Sequence, residues 1–478
     1  MKSKGAGRSR HSAGIFGQRP VRPDELPAIM RKHIATGTMG AAWGNVITGI
    51  IFVYFGNAIG LTRLQWGILG GISSWVVVMQ PLGTMLAELA GSRRLVWFWT
   101  ALADRVLRIA GIVGAFLLWQ AGSTAGYLLF MAAVSAATLL GNLAPGAWFG
   151  WLSRIIPREV QGTFWGRRDS WISLIIILVA LPSGFVMDLV PRDGKLATAT
   201  VILAAASVLG LLDIFIHVTL PEPPMRRAAS RGTFAGMLSP LKDRGFRPWL
   251  AFTACWNFSL FLGGGLANLY FMENLGFKND LFGGMIASTV VGLGGTLLAS
   301  RRAGRMVDRF GVKRMLAASH LFWSLVPAIW LFATPRSAFF WVGFAGVVGG
   351  IFSTAAANAS VKLSTRFPAP QDAAMYMSIF SMIGSLAGGF GALGAGLLLS
   401  VAGAWSVSVL GLIVTAFPVL FVVSTLLRFV TLFTLLPRVR TTGAAREERT
   451  FLLPLFFEGL PGIERFRRQP PGSTRPRR

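Results

Sequence analysis

Long apolar runs separated by short polar punctuation fill most of this chain. Each run reaches the roughly 20 residues that a helix needs to cross a bilayer. Twelve can be placed, at 34–57, 65–90, 95–119, 123–152, 164–188, 197–219, 248–273, 281–303, 313–333, 338–363, 373–400 and 405–436. The connections are short, so successive spans run antiparallel and no room is left for a second soluble domain. The pattern predicts an all-α integral membrane protein with twelve transmembrane helices.

Composition agrees with the pattern. Of 478 residues, 53% are hydrophobic and only 14% charged, which is a membrane composition. The net charge of +27 would suit nucleic acid if it formed one basic face, but the charges are distributed by topology instead. Arg63, Arg192, Lys195, Lys278 and Arg336 fall in odd-numbered loops, and Arg105, Arg108 and Arg428 fall inside spans. All other Lys and Arg residues lie in the two tails, in the even-numbered loops, or at the helix ends bordering those loops. The positive-inside rule then places both termini in the cytoplasm, which requires an even number of spans. The expected organisation is a basic cytoplasmic tail at 1–33, a six-helix bundle at 34–219, a cytoplasmic loop at 220–247, a second bundle at 248–436 and a basic, partly amphipathic tail at 437–478. The first 30 residues read as a disordered tail rather than a signal peptide, because no apolar core follows the basic start. The basic tails suit anionic lipid, and the expected location is the cell inner membrane.

The second half echoes the first. Tyr54, Phe55, Gly60 and Gly67 align with Tyr270, Phe271, Gly276 and Gly283; Glu88, Gly91 and Arg94 align with Asp308, Gly311 and Arg314; Leu152, Ser153 and Pro157 align with Leu363, Ser364 and Pro368. The order is preserved and the separation nearly constant, which marks an internal repeat. Six spans per unit make it a parallel repeat about an axis along the membrane normal, with a cleft between the halves that rocking opens to alternate sides.

The stretch "GRMVDRFGVKR" (304–314) resembles the loop signature of the major facilitator superfamily, with Gly304, Asp308, Gly311, Lys313 and Arg314 at the matching positions. The first-half copy departs from it, with Thr84 for the leading glycine and Glu88 for the aspartate. The resemblance covers about 34–436. It implies two pseudo-symmetric six-helix bundles, a small-molecule substrate and transport, and it implies that these loops hold the state closed to the cytoplasm. On that reading Glu88, Gly91, Arg94, Arg168, Asp169, Gly304, Asp308, Gly311, Lys313 and Arg314 form a cytoplasmic gate. Asp308 would face Arg167 and Arg168, and Glu88 would face Asp372. The resemblance further implies that spans one, four, seven and ten line the cavity.

Ionisable residues at membrane depth are costly and mark function by default. Asp104 and Arg108 stand one turn apart in the third span, with Arg105 between them. They read either as a self-neutralising pair or as a cluster that binds an anionic substrate or titrates with it, with Arg105 as the substrate contact. Asp213 and His217 share a face of the sixth span and read as a proton-passing pair or as headgroup-level residues. Asp188 and Glu273 are placed near outer ends, in water. The cavity-facing candidates are Trp43, Asn45, Asn142, Trp148, Trp256, Asn257, Ser259, Ser353 and Asn358, with Gln80 beside Pro81. They describe an aromatic pocket with amides and few fixed charges, suited to a neutral or weakly charged organic molecule. Gly384, Gly388, Ala392 and Gly396 form a smooth stripe for close helix approach, and Gly263–Gly265 and Pro145 are candidate hinges.

Cys255 is the single cysteine, the four histidines have no metal-ligand spacing, and no phosphate-binding loop of the GxxxxGK[ST] type occurs. No cofactor, no metal, no catalytic residues and no nucleic acid are expected, and the protein is expected to be a monomer and not an enzyme. The functional expectation is a secondary-active transporter of a small organic solute, possible coupling to protons included. The alternative is a transporter-like sensor or scaffold that binds without net transport.

Overall fold

The structure is a computed structural model that describes residues 17–152, 154–224, 239–364, 367, 373–403, 405–409 and 412–439. Within these lie twelve helical segments in the predicted order. They are α1 (Leu26–Val46, resuming as Ile50–Ala58), α2 (Arg63–Ala90), α3 (Arg93–Gln120), α4 (Ala125–Leu152), α5 (Arg158–Leu189) and α6 (Lys195–His217). The second half has α7 (Arg247–Glu273), α8 (Leu281–Met285 and Val291–Phe310 about a π turn), α9 (Val312–Ser324 and Val326–Trp330), α10 (Ala338–Ser364), α11 (Ala373–Ala402) and α12 (Ala416–Leu435). Among the described residues nine are long and apolar enough to cross a membrane, and α1, bent by 40°, makes ten. The other two are α3, with Asp104, Arg105 and Arg108 in its middle, and α9, which breaks at Leu325.

The breaks have local causes. Proline lacks the amide proton and clashes one turn back, so it is tolerated best where a helix starts. Pro81, Pro145 and Pro327 each sit at the start of a resumed helix, and α7 breaks after Gly264. The last span departs from expectation for the same reason. Its helix starts at Ala416, two residues before Pro418, and the preceding stretch forms an antiparallel hairpin of β1 (Ser406–Val409) and β2 (Leu412–Thr415). A helix begun at 405 would have put Pro418 in its interior. At the other end, α1 starts at Leu26, inside the stretch read as tail.

The repeat is visible in the backbone. Gly60 and Gly276 both have positive φ (101° and 83°), as do Gly91 and Gly311 (67° and 87°), a region closed to most side chains. A further matched pair appears in the helices: Asn142 and Asn358 each donate from Nδ2 to the threonine carbonyl four residues earlier, Thr138 and Thr354, at 2.9 Å.

The two ends of the bundle differ. At the end opposite Leu26 and Arg438, one apolar core runs through both halves, joining Ile51, Phe55 and Leu69 to Leu269, Phe271, Leu281 and Phe417. At the end carrying Leu26 and Arg438 the core is divided. One cluster holds Trp97, Trp151, Phe164 and Ile214 of the first half, and another holds Trp249, Phe252, Leu316 and Leu432 of the second.

Two seams join the halves at the closed end. Along α2 and α11, Gly67 lies so near the partner helix that a methyl on it would stand 2.7 Å from Gly396 Cα. Along α5 and α8, Asp188 accepts from the Leu281 and Phe282 amides at 3.0 and 2.7 Å, capping a helix start. Arg63 adds a bridge to Glu273 at 3.0 Å and donates to the Gly403 carbonyl. Asp188 and Glu273 are therefore latches between the halves rather than freely solvated groups, because the fold brings opposite-half donors to them.

Candidate functional site

Behind the divided end, inside the first-half bundle, lies a cavity of about 400 Å³ lined by α1, α3, α4, α5 and α6. Its polar groups are His33, Arg105, Arg168, Asp213 and His217, and its walls include Trp97, Trp148 and Phe149. Small residues make the space. A methyl on Gly37 would meet Arg168 Nε at 2.9 Å, one on Gly40 would meet Asp213 Oδ2 at 2.7 Å, and one on Gly210 would stand 3.3 Å from Arg105 Nε.

Asp104 lies just outside the cavity and is saturated. It accepts from Arg105 at 2.6 Å and from Arg108 at 2.8 Å, and Arg108 also donates to Thr138 Oγ1 at 2.9 Å. Arg105 has partners of its own: Asp104 binds one end of it, and its guanidinium lies 3.5 Å from the Trp43 ring centre. Its Nε, however, is buried and unbonded, and so is that of Arg168. Asp213 is 8% exposed, and its charged neighbours are Arg105 and Arg168.

His217 is the best-defined group. Trp148 donates its indole N–H to His217 Nε2 at 3.2 Å. An indole nitrogen only donates, so Nε2 carries the lone pair and Nδ1 the proton. Nδ1 then donates to Thr36 Oγ1 at 2.8 Å, and Thr36 donates to the His33 carbonyl. Trp97, at 4.7 Å between ring centres, and Trp151, at 5.2 Å, enclose the imidazole. His33 packs 4.9 Å from it with neither ring nitrogen bonded. Burying such a group costs about 1–3 kcal/mol. His33→Phe is therefore expected to leave thermal stability in detergent unchanged or raised while lowering transport; a clear loss of stability would show that the ring nitrogens are engaged.

The amide candidates do not converge here. Asn142, Asn257 and Asn358 each donate back to their own helix, to Thr138, Thr253 and Thr354, while half-buried Asn45 and Gln80 are not among the cavity residues. Trp256 is buried against His320, 4.3 Å between ring centres, away from the cavity. The lining is thus more charged and less amide-rich than expected.

The residues read as a gate divide similarly. Arg168 turns into the cavity and lies over Trp148 and Trp165 at 5.6 and 5.3 Å; Asp169, 3.7 Å from it, is exposed. Arg94 is buried in its own half. It donates to the Leu220 and Gly17 carbonyls and faces Glu222, which itself accepts from Ser92 Oγ and the Arg93 amide at 2.6 Å each. Glu88 is exposed, and Gly91 ends α2 in the left-handed conformation. Gly311 joins α8 to α9, Lys313 donates to the Pro437 carbonyl and Arg314 is half-buried. Gly304 and Asp308 lie on α8, but their side-chain surroundings are outside the described residues, as is Asp372.

His33, Thr36 and Trp97 were missed by sequence reasoning. The expected first span starts at 34, one residue after His33. The available signal was the run His33, Gly37, Gly40, Ala41, a polar group followed by small residues on one helical face.

Residues 302–471 match the model of the Major Facilitator Superfamily. No curated relative matches the chain by sequence. Among solved structures, the nucleoside transporter NupG is similar over 87% of this chain and 99% of its own, at 12% identity and a TM-score of 0.61. A D-xylose-proton symporter is similar over 87% and 98%, at 16% identity and a TM-score of 0.60. A bacterial homologue of the human lysosomal transporter Spinster, inward-facing and unoccupied, is similar over 88% and 95%, at 13% identity and a TM-score of 0.59. At these identities the structures speak for the fold. By fold over most of its length this multi-pass membrane protein is similar to these transporters, and residues 302–471 carry the sequence match to the Major Facilitator Superfamily.

Proposed function

We propose that the protein is a secondary-active transporter that moves a small organic solute by alternating access, the solute binding in the first-half cavity. The observation that carries this is the asymmetry of the core. It is continuous between the halves at one end and divided at the other, with a polar, aromatic cavity behind the divided end. A protein with one end closed and a charged pocket behind the other has the form of one state of an alternating cycle. The distribution of Lys and Arg supports a cytoplasmic divided end and suits a location in the inner membrane. Asp213, the one carboxylate among the cavity residues described, is the group we assign to proton coupling, a reading supported by the D-xylose-proton symporter among the similar folds.

The test is uptake into proteoliposomes from a panel of labelled metabolites, with and without a pH gradient. Wild-type protein is expected to accumulate one solute class in a gradient-dependent way. Arg168→Gln is expected to reduce the rate at least about tenfold, as fits loss of a functional charge at membrane depth. Binding without flux across the panel would favour the scaffold alternative.

A further inference from the structure

We propose that the cavity takes an organic anion with a flat apolar body, and that this anion competes with Asp213 for Arg105 and Arg168. The cavity itself, and not the transport reading, is what the binding part rests on; the coupling part rests on that reading.

The inventory of unmet groups decides the sign of the ligand. Arg105 Nε, Arg168 Nε and both ring nitrogens of His33 are buried without a hydrogen-bond partner. All three residues line the one cavity, and the only carboxylate among its described residues is Asp213. A buried donor left unbonded is costly, and a carboxylate meets guanidinium donors with stronger bonds than a neutral acceptor does. An ammonium would find one acceptor and two repelling cations. A neutral amide would satisfy one donor but supply no charge. Trp97, Trp148 and Phe149 line the cavity with aromatic surface for the rest of the molecule.

Competition follows from what surrounds Asp213. From α1 it faces His33, and from α3 Arg105, with Asp104 and Arg108 behind it. From α5 it faces Arg168 with Asp169, and His217 lies one turn along its own helix. Asp104 and Asp169 each take one contact of Arg105 and Arg168, so the charge that remains on these two guanidiniums serves either Asp213 or an incoming anion. When an anion engages them, the Asp213 carboxylate loses its counter-charge at membrane depth and takes a proton from water at the open end. One anion and one proton then cross together, and no net charge moves.

The full-length protein in nanodiscs is titrated with benzoate, phenylacetate and indole-3-acetate, and with the matching amides and amines. Binding is followed by tryptophan fluorescence and proton uptake by a pH indicator in weak buffer. Carboxylates are expected to bind at least about tenfold more tightly than their amides or amines, about 1.4 kcal/mol, with uptake of about one proton per site. Arg168→Gln should lose carboxylate binding and Arg168→Lys keep part of it. Asp213→Asn should bind carboxylates more tightly and without proton uptake. Amides or amines binding as well as carboxylates, silence from every carboxylate, or proton uptake that survives Asp213→Asn would each overturn the proposal. Flux separates the two readings: bound carboxylates that do not cross proteoliposomes sink transport and leave the anion site, whereas neutral solutes that cross without carboxylate binding do the reverse. Carboxylate uptake that responds to membrane potential alone would refute the paired, electroneutral movement.

Discussion

Valine at Gly67 is expected to abolish solute uptake while leaving the protein folded. Even the first carbon of a side chain there would stand 2.7 Å from Gly396 Cα and 3.0 Å from the Ala392 carbonyl. Both obstacles are backbone, which cannot rotate away as a side chain would, so α2 and α11 must separate. Overpacking of this kind costs about 1–3 kcal/mol, and each 1.4 kcal/mol shifts a two-state balance about tenfold. On the proposed alternating-access cycle the cost falls only on the state closed at this seam, since the two helices would part when the cycle opens there. The expected result is therefore a protein held open at the end away from the termini. A cysteine at Leu69, buried in the shared core, in a background lacking Cys255, should label with an impermeant maleimide faster in Gly67→Val than in its parent. Unchanged uptake and unchanged labelling would show that this seam does not open.

Asp104→Asn is expected to act through stability and not through coupling. Asp104 carries both a neighbour and an i, i+4 partner, Arg105 at 2.6 Å and Arg108 at 2.8 Å, and is only 3% exposed. Asparagine offers one oxygen and turns two N–H donors toward guanidiniums, which leaves buried Arg108 without a counter-charge and Arg105 with Asp213 alone. Breaking a buried pair in this way costs about 3–5 kcal/mol. Thermal melting in detergent should fall clearly, and adding Arg108→Gln should recover part of the loss by removing one stranded cation. If Asp104→Asn melts as the parent does and only its proton dependence is lost, Asp104 belongs with the coupling machinery after all.

Most of the fold was legible because its determinants are local. Span length is set by bilayer thickness, breaks by Pro81, Pro145, Pro327 and Gly264, and loop geometry by glycines such as Gly91 and Gly311, whose positive φ appears at matched places in the repeat. Even the misplaced twelfth helix had its cause in the sequence, since Pro418 disfavours the longer span. The site was legible in part. Arg105, Asp213, His217 and Trp148 were recognisable as polar or aromatic groups at membrane depth, and they do meet in the cavity. Arg168, expected in a gate from its place at a helix start, turns into the cavity, and His33, one residue before the expected first span, joins it there.

By itself, then, the sequence determined where helices form, where they break, and that the two halves repeat each other, because hydrophobicity, proline and glycine act within a turn or two of themselves. Tertiary structure decided which polar groups share a space. An asparagine such as Asn142 bonds its own helix and drops out, while His33 and His217, nearly two hundred positions apart, come within 4.9 Å. Which neighbour a side chain meets depends on how its helix is rotated against others far away in sequence, and that rotation is settled by packing, as where Gly67 lets α2 lie against α11.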